Sequence, residues 1–262
     1  MTVSLATWNV NSLKVRLNHL LDWLGAHRAD IVCLQETKLI DEQFPVAALR
    51  EAGYAAAFAG QKTYNGVALL ARADTMPAPV DVVATLPDPF EDTQKRLIAA
   101  TVGPLRVVCA YFPNGQSVDS DKYVYKLRWI AALAAWLRGE MERHPLLALA
   151  GDYNIAPEDR DVHDPKAWAG QVLFSEPERQ AFRDLLALGM VDCFRLFDQP
   201  DRSYTWWDYR MLAFRRKMGL RIDHILLSPR LAPSCTACSI DIEPRRREQP
   251  SDHAPVIASL SL

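Results

Sequence analysis

Leu97-Ile-Ala-Ala-Thr-Val102-Gly103-Pro104-Leu105-Arg106-Val-Val-Cys-Ala-Tyr111 decides the fold class of this chain. Two apolar, β-branched runs, 97–102 and 106–111, are separated by a Gly-Pro turn too short to hold a helix. They predict an antiparallel hairpin, and a strictly parallel doubly wound fold would need a helix there. Working outward, further strand-like runs stand at 4–8, 31–35, 67–71, 146–150, 222–228 and 255–260. Those at 31–35, up to its final Gln35, and at 146–150 are continuously apolar, as in strands buried on both faces. Helical spacing is clear at Leu13, Leu17, Leu20, Leu21 and Leu24 behind Ser12, and at Tyr123, Leu127, Ile130, Leu133, Ala134 and Leu137. Ser175-Glu-Pro-Glu178 is a capping-box signature for a third helix, which Gly189 closes. Helices mixed with that many strands predict α/β architecture with two packed sheets and helices outside.

The bulk composition is that of a globular protein: 262 residues, 49% apolar, 24% charged. Such a chain buries a sizeable core without crosslinks. No linker, repeat or low-complexity tract divides it, so residues 1–262 are expected to form one catalytic domain. The start lacks the basic and apolar regions of an export signal, and no apolar run approaches a bilayer span, so no membrane partner is expected. The five cysteines are an odd number, which points to a reducing compartment. Cys235-Thr-Ala-Cys238 has the spacing of a zinc or redox pair. No second pair follows, and on a strand residues i and i+3 face opposite sides, so packing is the expected role. The formal charge of −2 advertises no global positive field for nucleic acid.

Polar fragments end the apolar runs: Thr7-Trp8-Asn9-Val10-Asn11, Gln35-Glu36-Thr37-Lys38, Tyr111-Phe112-Pro113-Asn114, Gly151-Asp152-Tyr153-Asn154, Tyr204–Arg210, Asp223-His224 and Ser251-Asp252-His253. A carboxylate just past a buried strand sits at a sheet rim, reachable by water and substrate. One alone is ordinarily a solvated strand end. Several acids and imidazoles gathered together repel unless a cation neutralises them.

In this order the fragments resemble the exonuclease III family of abasic-site endonucleases, within the endonuclease/exonuclease/phosphatase superfamily. The resemblance runs from Trp8 to Pro255. It implies a four-layer sandwich of two packed mixed sheets flanked by helices, as in DNase I. It also implies an Mg²⁺-dependent DNA-repair phosphodiesterase, with Mn²⁺ able to substitute. Such an enzyme incises duplex DNA 5′ to abasic sites, trims 3′ ends as a 3′→5′ exonuclease, and cleans blocked 3′ ends. By the same resemblance Glu36, with Asn9, Asn11 and Asp252, serves the metal. Asp152 positions or deprotonates the attacking water and Asn154 holds water or a phosphate oxygen. Asp223 fixes His253, whose cationic form faces the phosphate, and Tyr111 and Asn114 donate to it. Asn11 stands where relatives carry Asp or Asn, so its charge contribution is the smaller one.

The segment 204–221 interleaves Trp206, Trp207, Tyr209, Met211 and Phe214 with Arg210, Arg215, Arg216, Lys217 and Arg221, a composition suited to nucleic acid. Arg96, Arg210, Arg216 and Lys217 are the cations expected at the substrate, and Trp206 the expected wall of a pocket for an abasic sugar. The run Arg245-Arg246-Arg247 reads equally as a phosphate contact or a solvated face. His224, adjacent to Asp223 on a strand, is expected to point away from the site. The aperiodic segment 155–174 directly follows Asp152 and Asn154 and is expected to face substrate. A monomer acting in the cytoplasm is the expected state.

Three rivals remain to weigh. A Ser251-Asp252-His253 hydrolase fails because adjacent residues cannot form one relay, and no Gly-x-Ser-x-Gly elbow exists. A DNA-binding module without activity is disfavoured by the competent residue at every matched position. A superfamily phosphatase acting on non-DNA phosphate esters is the alternative. Gly66-Val-Ala-Leu-Leu70 and the 204–221 segment stand against it.

Overall fold

The computed structural model describes residues 1–87, 90 and 92–262. The quoted hairpin forms as expected: β6 (Leu97–Val102) pairs antiparallel with β7 (Leu105–Tyr111), Val102 opposite Leu105. Gly103 takes φ +57° in the two-residue turn, a left-handed conformation that glycine adopts at little cost.

One six-stranded sheet has the order β11 (Cys235–Ile240), β12 (Val256–Ser261), β1 (Thr2–Asn9), β2 (Ile31–Gln35), β4 (Val67–Arg72), β3 (Tyr54–Ala59). The other, also six-stranded, runs β5 (Val80–Val83), β6, β7, β8 (Leu147–Asp152), β10 (Asp223–Leu227), β9 (Val191–Asp192). Each is mixed, with one parallel pair at its centre: β1 with β2, and β7 with β8.

Side-chain alternation sorts the residues into layers. Val107 and Cys109 point between the sheets with Leu5, Ile31, Leu69, Ala148 and Ala258, while Val108 and Ala110 point outward. On that outer face lie Trp129, Ile130 and Leu133 of α3 (Asp121–Arg143) and Phe182 and Leu185 of α5 (Glu176–Ala187). The other sheet's outer face is covered by Leu13, Leu20, Trp23 and Leu24 of α1 (Leu13–His27) and Leu49 of α2 (Val46–Glu51). The result is the expected four-layer α/β sandwich, with apolar burial on both faces of both sheets as the main stabilising term.

Differences from expectation have local causes. Ser12 does not cap α1 with its side chain. Its φ is +85°, and the backbone N–H groups of Ser12 and Leu13 donate instead to Glu36 O and Thr37 O. The helix start is therefore stitched to the end of β2. Ser175 does form the reciprocal capping box with Glu178. The segment 155–174 is less irregular than its sequence suggests. It holds a 3-10 turn at Asp159–Asp161 and a short helix, α4 (Pro165–Trp168). Its apolar residues Ala156, Val162, Leu173 and Phe174 make a small core with Leu220 and Ile222. The alternation argument for Cys235 and Cys238 is overturned. A bulge between Cys235 and Ala237 shifts the register, so Cys235 pairs with Leu260 and Cys238 with Ala258. Leu260 and Ala258 share a face, and both sulfurs turn toward the core between the sheets.

Candidate active site

Parallel pairing brings strand C-termini to one edge, and this positions the polar fragments. Asn9 ends β1 opposite Gln35, the residue before Glu36. Tyr111 ends β7 opposite Asp152, and Asp152 in turn faces Asp223 at the start of antiparallel β10. Gly151 permits this crowding, since a Cβ there would lie 1.8 Å from the Ala110 carbonyl oxygen. The loop carrying Ser251, Asp252 and His253 closes over the edge. Ser251 Oγ donates to Asn9 O (2.7 Å), and the Ala254 N–H donates to Thr205 O (2.7 Å).

The side chains then form one network drawn from both sheets. Asn9 Nδ2 donates to Glu36 Oε1 (2.8 Å) and to Asp152 Oδ2 (2.9 Å). Asp152 Oδ1 accepts from the Asn154 N–H (2.9 Å). Asn114 Nδ2 donates to Asn154 Oδ1 (3.1 Å). His253 Nδ1 meets Asp223 at 2.9 Å, leaving Nε2 3.8 Å from Asp152 Oδ2. Asn11 Nδ2 donates to Asp252 Oδ1 (2.8 Å), and Trp206 Nε1 to Asp252 Oδ2 (3.0 Å). Arg96 lies over the Tyr111 ring, 4.9 Å from its centroid, and both line a cleft of about 700 Å³ beside Glu36. Trp206 packs with Trp168 against the small core of the 155–174 segment.

Electrostatics follow from burial. Burial pushes the Asp152 carboxyl up to about 7; Asp223 and Glu36 reinforce the shift, against His253 and Asn9. Burial alone would depress the His253 imidazole, but Asp223 and Asp152 outweigh it and raise it to about 10. It is therefore an imidazolium at neutral pH, with both ring nitrogens as donors. Burial likewise opposes ionisation of Glu36, yet Lys38 and Asn9 hold its carboxyl below the usual range. Burial, then Glu36 and Asp152, keep the Tyr111 hydroxyl protonated well above its ordinary value, so it is available as a donor.

The residues expected at the site are thus largely brought together: Glu36, Asn9, Asn11, Asp252, Asp152, Asn154, Asp223, His253, Tyr111, Asn114, Trp206 and Arg96. The remaining cations lie outside this network. Arg210 is exposed and donates to both oxygens of Asp208, while Arg216 and Lys217 face solvent. The arginine run divides. Arg245 is buried across the Tyr209 and Phe214 rings, and Arg247 pairs with Asp22 on the surface. His224 points away as expected, its Nε2 on Ile155 O (2.9 Å) and its Nδ1 beside Arg221.

Two cations have roles that the sequence reading did not assign, Lys38 within a quoted fragment and Lys126 outside all of them. Lys38 Nζ bridges Glu36 Oε2 (2.7 Å) and Asn11 Oδ1 (2.6 Å). Lys126 is wholly buried beneath the site, donating to Asn154 O (2.6 Å) and Asn114 O (3.2 Å) and paired with Glu178. The available signal was position, because Lys126 interrupts the apolar helix face three residues after Tyr123 and four before Ile130.

Ligand atoms of Glu36, Asp152 and His253 lie within 4.8 Å of one another. Glu36 and Asp152 offer hard oxygen donors from facing strand ends, joined by the Asn9 amide, so the set fits a hard divalent cation. Carboxylates for a cation, a poised acid–base pair and convergent amide donors are the equipment of a metal-assisted phosphate-ester hydrolase.

Comparison with known proteins agrees. Residues 6–253 match the Endonuclease/Exonuclease/phosphatase family. Exodeoxyribonuclease III of Haemophilus influenzae is 35% identical over 96% of this chain and 97% of its own length. Among solved structures, a 3′ phosphatase from Neisseria bound to a product DNA hairpin superposes with TM-score 0.96 at 46% identity, covering 99% of this chain and 100% of that one. An AP endonuclease from Archaeoglobus fulgidus does so with TM-score 0.94 at 39% identity, over the same shares. This chain belongs to the endonuclease/exonuclease/phosphatase family, in its exonuclease III branch. Its class is that of the DNA-repair nucleases.

Proposed function

We propose that the chain is an Mg²⁺-dependent phosphodiesterase of duplex DNA, with Mn²⁺ able to substitute. It incises 5′ to abasic sites and, in the same site, acts as a 3′→5′ exonuclease and 3′-end-cleaning enzyme. The observation that carries this reading is the network in which Asn9 joins Glu36 to Asp152 while Asp223 holds a cationic His253 beside them. Glu36 and Asp152 would hold the cation, with Asn9, Asn11 and Asp252 orienting them. When bound it supplies charge neutralisation for the phosphate and for the leaving oxygen.

The protein's own groups divide the rest of the work. Asp152, whose Oδ1 accepts from the Asn154 N–H, is placed to take the proton of an attacking water held by Asn154. His253 donates from Nε2 to a phosphoryl oxygen and stabilises the charge that builds there. Asp223 positions that ring and keeps it protonated. Tyr111 and Asn114 donate to the same phosphate. Trp206 and the 155–174 segment wall the space for an extruded sugar. Arg96, Arg210, Arg216 and Lys217 serve the flanking strand phosphates.

Residues 1–262 act as one catalytic domain, supported by the core shared between the two sheets, and as a monomer. Among the described residues no helix is long and apolar enough to cross a membrane. The bacterial relatives support action in the cytoplasm. The test offers labelled duplexes carrying an abasic site, a recessed 3′ end or a 3′ phosphate, each with Mg²⁺ and with chelator. Cation-dependent cleavage of these duplexes is expected, and hydrolysis confined to soluble phosphate esters would overturn the reading.

A further inference from the structure

Away from the catalytic edge, three cysteines meet where the two sheets close on each other. Cys193 opens the 3-10 turn Cys193–Leu196 that follows β9, in one sheet, and Cys235 and Cys238 lie on β11, in the other. Cys193 Sγ and Cys238 Sγ are 3.1 Å apart, although 45 residues separate them. The bulge in β11 is what turns Cys235 to the same side as Cys238, where both pack against the core that also holds Cys193. Access differs among the three. Cys193 and Cys238 are buried, while Cys235 is partly exposed. The other two cysteines, Cys33 and Cys109, are wholly buried.

We propose that Cys193, Cys235 and Cys238 form a peroxide-responsive thiol site, in which Cys235 meets the oxidant and Cys193 resolves it into a disulfide joining the two sheets. The neighbouring Cys193 thiol holds the Cys235 thiol below its ordinary value, whereas burial pushes Cys193 up. The partly exposed cysteine is therefore also the better nucleophile. Its thiolate attacks the peroxide O–O bond, becoming a sulfenic acid while the other oxygen leaves and takes up a proton. The Cys193 sulfur, losing its proton, then attacks Cys235 Sγ, and the sulfenic oxygen departs as water. Two thiols have given up two electrons and two protons, and the peroxide is reduced to water or an alcohol. Cys238 completes the relay by exchange. Its sulfur attacks Cys193, releases Cys235 as a thiol, and leaves the bond fully buried after a sulfur approach of about 1 Å.

The test treats the reduced full chain with stoichiometric hydrogen peroxide, followed by alkylation and tryptic mapping. Neither Lys nor Arg separates Cys235 from Cys238, so both stay in peptide 231–245, while Cys193 falls in peptide 184–195. A reducible cross-link between these two peptides is expected, together with a raised melting temperature of the oxidised protein. C238S should form the link through Cys235. C235S should form it about tenfold more slowly, and C193S should stop at a sulfenic acid on Cys235 that dimedone traps. A bond confined to peptide 231–245, peroxide consumption without any link, or an unchanged rate in C235S would overturn the proposal. If C193S does not fold, the C235S and C238S measurements still decide it.

Discussion

His253 illustrates how a single residue's chemistry depends on its neighbours. Asp223 and Asp152 face each other across adjacent strands, and two like charges so placed destabilise a sheet. The imidazolium between them removes that conflict and stands ready for a phosphate. His253→Asn should lower turnover by roughly 10²–10⁴-fold with the fold retained, measured by single-turnover cleavage and circular dichroism. Asp223→Asn should cost less. Because Asp223 acts through His253, the double variant should be little worse than His253→Asn alone, and multiplying losses would show that they act independently.

The pH profile follows from the same pair. Asp152 must be deprotonated and His253 protonated, so activity should rise on an acid limb below about 7 and fall through about 10. A bound cation moves the acid limb lower, because positive charge favours the carboxylate. His253→Asn should abolish the alkaline limb, while an unchanged limb would assign it to another group. These residues were legible in the sequence because each borders an apolar run: Asp152 ends one, and Asp223 and His253 precede one. Lys38 and Lys126 were not, since a lysine's role depends on what its long side chain reaches.

At the scale of elements, parallel strand pairs collect the chemistry at their C-terminal ends, and the helices hold those ends still. Lys126 of α3 ties the Asn114 and Asn154 carbonyls to Glu178 of α5. Lys126→Met leaves the Glu178 carboxylate buried without its cation and should destabilise the fold by about 3–5 kcal/mol, read by urea denaturation. A cost within experimental error would mean that the capping hydrogen bonds alone satisfy Glu178.

The long loop invites a different test. Ala169 and Gly170 are exposed beside Trp168, and Gly170 has φ +76°, so the strain-free substitution is at Ala169. Ala169→His should impair abasic-site incision more than release of a 3′ phosphate, since only incision needs an internal nucleotide extruded. Equal losses, or none, would remove this loop from the pocket. Strands and amphipathic helices were readable here from periodicity. The bulge at Cys235 and the backbone capping of Ser12 were not, because each is set by contact with a distant strand or loop and leaves no local pattern.

For the whole molecule, the sandwich explains how a chain of formal charge −2 can act on a polyanion. The acids converge at one edge, where a cation offsets them, while Arg96, Lys38 and Lys122 line the adjoining cleft. The alternation of apolar runs made the two packed sheets readable, but which strands neighbour which was not, since adjacency is decided by packing across the core. The central claim is that Glu36 and Asp152 bring a divalent cation to the scissile phosphate. Its most direct test is single-turnover cleavage of an abasic duplex by metal-stripped protein across an Mg²⁺ titration, for the native chain and Glu36→Gln. The native chain should be inactive in chelator and recover with Mg²⁺, while Glu36→Gln should need far more Mg²⁺ yet bind DNA almost unchanged. Full turnover in chelator, or native Mg²⁺ dependence in Glu36→Gln, would contradict it.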